Sequence, residues 1–235
     1  MCLLFYRRYH RYTWRILHAL FITFFSTIFF ISTAHAALSD ISRIYHTPLM
    51  INNVNQQNQI QFEICSGGGC ATSHIVTLSL TELAPIAEIF AAPKLDGIDE
   101  AETERVHIAS AIGALENIIG LKTNTSQDRA GTFNNSAYQG QLDCNDEAIN
   151  STTYMRLLVA FGFMQYHTVE DTRTRNFFFT GWPHSTAVMH ENVSGQRYAV
   201  DSWFYDNGAP ATILPFEKWK SGFIPADSPI IAPRK

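Results

Sequence analysis

The run "ILHALFITFFSTIFFI", residues 16–31, carries no acidic or basic side chain except His18. Arg7, Arg8, Arg11 and Arg15 precede it, and Ala34-His35-Ala36 follows it. A basic lead, an apolar centre and a small-x-small site are the three parts of a secretory signal. Residues 1–36 therefore read as a signal peptide, and residues 37–235 as the part that folds after export, periplasmic or secreted. Left uncleaved, the run approaches the length that spans a bilayer, and it would be the chain's membrane contact. No later run is long and apolar enough to span.

Export gives the charge and the cysteines their meaning. The chain carries 17 Lys and Arg against 21 Asp and Glu, a net charge of −4, and losing the four leader arginines takes it to −8. Nucleic-acid binding needs clustered Lys and Arg, so a nucleic-acid partner is not expected. Beyond the leader the cysteines are Cys65, Cys70 and Cys144. In an oxidising compartment an even pair closes and an odd one is left over. "SGGG" between Cys65 and Cys70 is flexible enough to bring their Cβ atoms together, which makes them the disulfide candidates and Cys144 the unpaired thiol.

Hydrophobic periodicity supplies the elements. After an Asn- and Gln-rich lead-in at 37–58, "QIQFEI" (59–64) and "HIVTLSL" (74–80) alternate and read as a hairpin around the Cys65–Cys70 loop. Thr81 is placed to cap a helix running through Phe90 and ending near Pro93. A longer helix is expected over about 99–121, with Val106, Ala109, Ile112, Leu115 and Ile119 as its apolar stripe. Residues 122–142 read as a long loop. A third helix should open at Asp143 or Cys144 and run to Phe161, with Gly162 as its stop and Cys144, Ala148, Ser151, Met155 and Leu158 on one face. Four strand-like runs follow, "FMQYHTVE", "RNFFFTG", "HSTAVMHE" and "RYAVDSWF", joined by turns that include "DTRT" and "NVSGQ". Residues 206–235, rich in proline, read as an irregular wrap. A hairpin, then helices, then an antiparallel meander indicates an α+β fold.

One group of residues in that order carries chemistry. Cys144 at the first helical position would feel the helix N-terminus, which favours a thiolate, and free N–H groups there can hold a developing oxyanion. Asp146 and Glu147 oppose the first effect, so a base is still required. His184 can supply it. If the turn between the last two strands has an even number of residues, His184 and Asp201 share a sheet face as a pair or a diagonal. A carboxylate there fixes the imidazole tautomer and stabilises its cation. A metal site from His184, His190 and Asp201 is disfavoured. Six strand positions separate the two histidines by roughly 20 Å.

These residues resemble a family. "LDCNDEA", followed by "HSTAV" and, 17 residues after its histidine, by "VDSW", is similar to the motifs of bacterial transglutaminase-like cysteine peptidases, a branch of the papain-like superfamily. The resemblance covers about residues 100–210. It implies a helix bearing the cysteine packed on an antiparallel sheet bearing His and Asp, with the N-terminal hairpin as an extension. It also implies amide-bond chemistry through a thioester, with Cys144 as nucleophile, His184 as base and then acid, and Asp201 as orienter. Gln139, Gln141 and Tyr138, just upstream of the cysteine, are the oxyanion candidates. Some relatives bind calcium through acids near the cysteine. Here only Asp146 and Glu147 are in view, too few oxygens for calcium, so no metal or cofactor is expected. The expected partner is a protein or peptide substrate, cell-wall peptide included. The alternative is a non-catalytic envelope binding or scaffolding module that keeps the fold.

Overall fold

Alternation builds the first element as expected. In the computed structural model, which describes residues 59–133, 139–175 and 183–230, strands β1 (Gln59–Ser66) and β2 (Thr72–Ser79) form an antiparallel hairpin. Its inward residues Ile60, Phe62, Ile64, Val76 and Leu78 are buried. Cys65 and Cys70 are joined by a disulfide across the Gly-rich turn, their Cα atoms 4.7 Å apart. The expected signal at 1–36 and the lead-in at 37–58 lie outside the described residues.

Helix α1 (Ala84–Ala91) starts later than Thr81 predicts, and Leu83 precedes it without a side-chain cap. Ser79 takes the capping work instead. The backbone N–H of Ser79 donates to Glu82 Oε2 (2.8 Å), and the Glu82 N–H donates to Ser79 Oγ (3.2 Å). This reciprocal Ser-x-x-Glu pair holds a turn, and Pro85 then opens the helix. Helix α2 (Glu100–Thr123) starts at its Asp99 cap, whose side chain accepts from the Glu102 N–H. Its buried stripe is Ile108, Ala111, Ile112, Leu115 and Ile119, whereas Val106 is exposed. The expected stripe was out of phase at its start because Val106 and Ala109 match the spacing as well as Ile108 does.

Helix α3 (Cys144–Ala160) has the expected bounds, with Asp143 as N-cap and Phe161 as C-cap. Gly162 follows with a positive φ of 75°, the left-handed stop that glycine accepts without strain. The expected single apolar face is too narrow a description. Thr152, Thr153, Tyr154 and Leu157 are buried as well as Cys144, Ala148, Ser151, Met155 and Leu158. A helix covered all round is a central one, with the hairpin, α2 and the larger sheet packed about it.

The larger sheet has the order β3-β4-β5-β6, all antiparallel: β3 (His167–Arg175), β4 (His184–Glu191), β5 (Arg197–Asp201) and β6 (Thr212–Pro215). "DTRT" is not a turn. β3 runs through it, and a bulge between Glu170 and Arg173 absorbs the irregularity. Most of "RNFFFTG" lies outside the described residues. The wrap is more regular than expected, because it holds β6 and the short helix α4 (Phe216–Lys220). Ala187, Met189 and Val200 face the core shared with α2 and α3. Val188, Ala199 and Leu214 face a second cluster that contains Cys144, Trp203, Phe204, Phe216 and Trp219. The class is α+β. Among the described residues, no helix is long and apolar enough to cross a membrane.

Candidate functional site

Cys144 is the first residue of α3, and its position is set by a double cap. Asp143 Oδ1 accepts from the N–H groups of Asn145 (2.9 Å) and Asp146 (3.0 Å), and Asp146 Oδ2 accepts from the Asp143 N–H (3.2 Å). The thiol is free and buried. It packs in the cluster that holds Trp203 and Trp219. Burial pushes the thiol up to about 12, the charges of Asp143 and Asp201 push the same way, and the backbone N–H of Ser185, bonded to the sulfur, pulls down. The helix N-terminus was expected to favour the thiolate. In this closed arrangement desolvation outweighs it, and Asp143 and Asp201 oppose it where Asp146 and Glu147 were expected to.

His184 opens β4, and its partner is Asp201. Glu191 and Gln196 close the β4–β5 turn by a backbone bond of 2.9 Å around residues Asn192–Gly195, an even-numbered loop. Ala187 then pairs with Val200. This parity puts His184 and Asp201 on one face as diagonal neighbours. His184 Nε2 lies 2.6 Å from Asp201 Oδ2. A carboxylate can only accept, so Nε2 carries a proton, and in the neutral ring Nδ1 then keeps its lone pair. Nδ1 is buried and has no hydrogen-bond partner among the described residues. An orphaned buried acceptor costs about 1–3 kcal/mol, and a donor arriving there recovers that cost.

The surroundings hold the pair rigidly. Trp219 Nε1 donates to the same Asp201 Oδ2 at 2.7 Å. Rings of Trp203, Phe204 and Trp219 lie 4.5, 5.4 and 5.7 Å from the imidazole, centroid to centroid. Excluding water in this way strengthens every electrostatic interaction inside. Across the ladder, Arg175 of β3 pairs directly with His184. Ser185 Oγ donates to Asn145 Oδ1 at 2.7 Å, which ties the start of β4 to the first turn of α3.

The hairpin loop closes over the head of α3. The Gly68 and Cys70 N–H groups donate to Asp146 Oδ2 (2.8 Å) and Oδ1 (2.7 Å), and the Gly69 N–H donates to Asp143 Oδ2 (3.0 Å). Asn150 pairs with the Cys65 backbone in both directions, at 2.8 and 2.9 Å.

The remaining expected residues are scattered. Gln141 uses both ends of its amide on the preceding loop: Oε1 accepts from the Arg129 N–H, and Nε2 donates to the Gln127 carbonyl. Gln139 is exposed, and Tyr138 lies outside the described residues. Glu147 faces away from Asp146 and accepts from Ser202 Oγ at 2.5 Å. His190 sits at the rim against Glu170, 3.2 Å from Nδ1. Among the described residues, no group of three or more His, Cys, Asp or Glu is arranged to hold a metal ion. Trp219 and Arg175 are additions that no local pattern announces, Trp219 from the proline-rich stretch and Arg175 from the end of β3 opposite His184.

No family model, no curated protein and no solved structure matches this chain. Its chemistry is read from the site itself. A buried thiol, a base with one spare nitrogen and a carboxylate on the other nitrogen can carry out nucleophilic acyl transfer.

Proposed function

We propose that this protein is an exported thiol hydrolase of transglutaminase-like fold, cleaving amide or peptide bonds through a thioester on Cys144. The observation that carries this reading is the state of His184, with Nε2 tied to Asp201 at 2.6 Å and Nδ1 buried without a partner. A ring held by one nitrogen and idle at the other is the arrangement a general base needs. In the proposed reaction the Cys144 thiol gives its proton to Nδ1, and the sulfur attacks the substrate carbonyl carbon. The imidazolium returns the proton to the leaving amine as the carbon–nitrogen bond breaks. Water, deprotonated by the same nitrogen, then hydrolyses the thioester and frees the thiol. The order Cys144, His184, Asp201 and the signal-like leader support the same reading, with a periplasmic or extracellular protein or peptide, cell-wall peptide included, as substrate.

A thiol-directed activity probe tests it. The parent is expected to label at Cys144. Cys144→Ala should abolish labelling, and His184→Ala should slow it by about 10²–10⁴, the usual contribution of a positioned base. Labelling of His184→Ala at the parent rate would overturn the reading.

A second reading has its own observation. The thiol is pushed up to about 12 and makes no bond to Nδ1, as in a binding or scaffolding module that keeps the fold without turnover. A parent protein inert to the probe over a broad pH range would favour it.

A further inference from the structure

Arg175 is a buried cation, 6% exposed, that makes no ion pair among the described residues. Its hydrogen bonds to described residues leave from Nη1, to the carbonyls of Trp219 (2.6 Å) and Phe223 (3.2 Å). Nε is buried and has no partner among the described residues. Removing a guanidinium from water costs several kcal/mol unless a nearby charge compensates it.

The place of this cation in the fold indicates what compensates it. Arg175 sits directly opposite His184 in the β3–β4 ladder. Its Cζ lies 4.9 Å from the centre of the Trp219 ring, whose N–H grips Asp201. Burial lowers the Arg175 guanidinium, while Asp201 and Cys144 both raise it, so both lie within its electrostatic reach. Asp201 Oδ2 already accepts from His184 and Trp219. The sulfur is the other site near Arg175 where negative charge can appear.

The charged groups that act on that sulfur are Asp143 at the cap of α3, Asp201 on β5 and Arg175 on β3, and His184 on β4 is the titratable neighbour bonded to Asp201. Two of the four are anions that oppose ionisation of the thiol. The imidazolium formed when Nδ1 takes the proton offsets one of them. A second positive charge is required to offset the other. We propose that Arg175 is a positioning residue whose fixed charge stabilises the Cys144 thiolate against Asp143 and Asp201. The inference rests on the thiol-hydrolase reading for its purpose. Its physical content, a cation acting on the sulfur, is tested separately.

The test is the pH dependence of iodoacetamide alkylation at Cys144 in the full chain, with two variants that divide the roles of the guanidinium. Arg175→Gln keeps a donor for the Trp219 and Phe223 carbonyls and loses the charge. Arg175→Lys keeps the charge and loses the fork. If the charge matters, Arg175→Gln moves the midpoint of the profile upward by about one unit or more, about tenfold in rate below the midpoint. Arg175→Lys then stays within a few tenths of a unit of the parent. A Gln profile that tracks the parent overturns the inference, as do Gln and Lys profiles that shift upward together, the mark of a purely structural role. If circular dichroism shows Arg175→Gln unfolded, Arg175→Lys decides alone. A parent-like midpoint supports the inference, and a rise of a unit or more sinks it. A parent that alkylates like a free thiol near 8.5 counts against the hydrolase reading, while the difference between Gln and Lys still reports on Arg175.

Discussion

At the scale of single residues, the site depends on how Asp201 divides its oxygens. One of them, Oδ2, receives both the imidazole Nε2–H and the Trp219 indole N–H. An asparagine whose amide oxygen takes that place can accept both donors, so Asp201→Asn should leave the fold intact. It removes the negative charge that stabilises an imidazolium, and the buried ring then resists taking the thiol proton. The expected outcome is an unchanged denaturant midpoint with alkylation of Cys144 slowed by about 10²–10⁴ at neutral pH. Equal rates for variant and parent would remove Asp201 from the mechanism. Cys144, His184 and Asp201 are legible in the sequence because each lies on a short periodic segment whose direction can be read from its neighbours. Trp219 and Arg175 are not. Trp219 belongs to a proline-rich stretch with no period. The pairing of Arg175 with His184 requires β3 to run through "DTRT", which looks like a turn.

At the scale of elements, the hairpin is tied to the head of α3 through the disulfide loop. Gly67, Gly68, Gly69 and Cys70 all have positive φ, between 59° and 86°. That curl turns successive N–H groups inward, and three of them reach Asp143 and Asp146. The loop thus partly neutralises the two carboxylates nearest the thiol in sequence. Closing a ring this small restricts the unfolded chain by roughly 2 kcal/mol. The double variant Cys65→Ser/Cys70→Ser should lower stability by about that amount. It should also slow alkylation of Cys144, because Asp143 loses an amide donor and its charge acts more fully on the sulfur. Urea melts and alkylation rates on the same preparation check both. A stability loss with no change in rate would separate the loop from the site. Sequence spacing identified the two cysteines and the hairpin, but not where the loop docks, because that contact joins residues more than 70 positions apart.

At the scale of the whole molecule, a set of buried acids makes stability depend on pH. Glu116 on α2, Asp128 in the following loop and Glu147 on α3 are all buried. Each holds polar groups of another segment. Glu116 accepts from the Gly208 N–H (3.0 Å), Asp128 from the Leu142 N–H (2.6 Å), and Glu147 from Ser202 Oγ. Gly113 allows this convergence, since a Cβ there would lie 2.6 Å from the Ala209 carbonyl oxygen. Burial pushes Glu116 up to about 8 and Asp128 up to about 7, and raises Glu147 as well, with neighbouring carboxylate charge adding to it. No local pattern in the sequence reveals these acids, because they come together only when α2, α3 and the 202–208 segment pack. The α+β class was legible because it needs only the order of periodic segments.

The sign of the pH effect follows from proton counts. Unfolded carboxylates titrate near about 4, so between about pH 4.5 and 8 the folded protein holds protons that the unfolded chain has released. Stability therefore falls as pH rises through that window, with a slope of up to about 1.4 kcal/mol per pH unit for each acid still protonated, and levels off above the folded values. The opposite case acts only at the acid end. Glu82, held down at about 2 first by its bond to Lys122 and then by Ser79, contributes stability above its unfolded value and loses it as pH falls toward 2. The two trends place the maximum near about pH 5. Urea midpoints should drop steadily from pH 5 to pH 8. Glu116→Gln, neutral at every pH and still able to accept from Gly208, should flatten the slope by about one acid's share. A midpoint that rises over this range, or a Gln variant with the parent's slope, would mean that these carboxylates stay charged in the folded protein, and a cation or bound water would then have to lie among them.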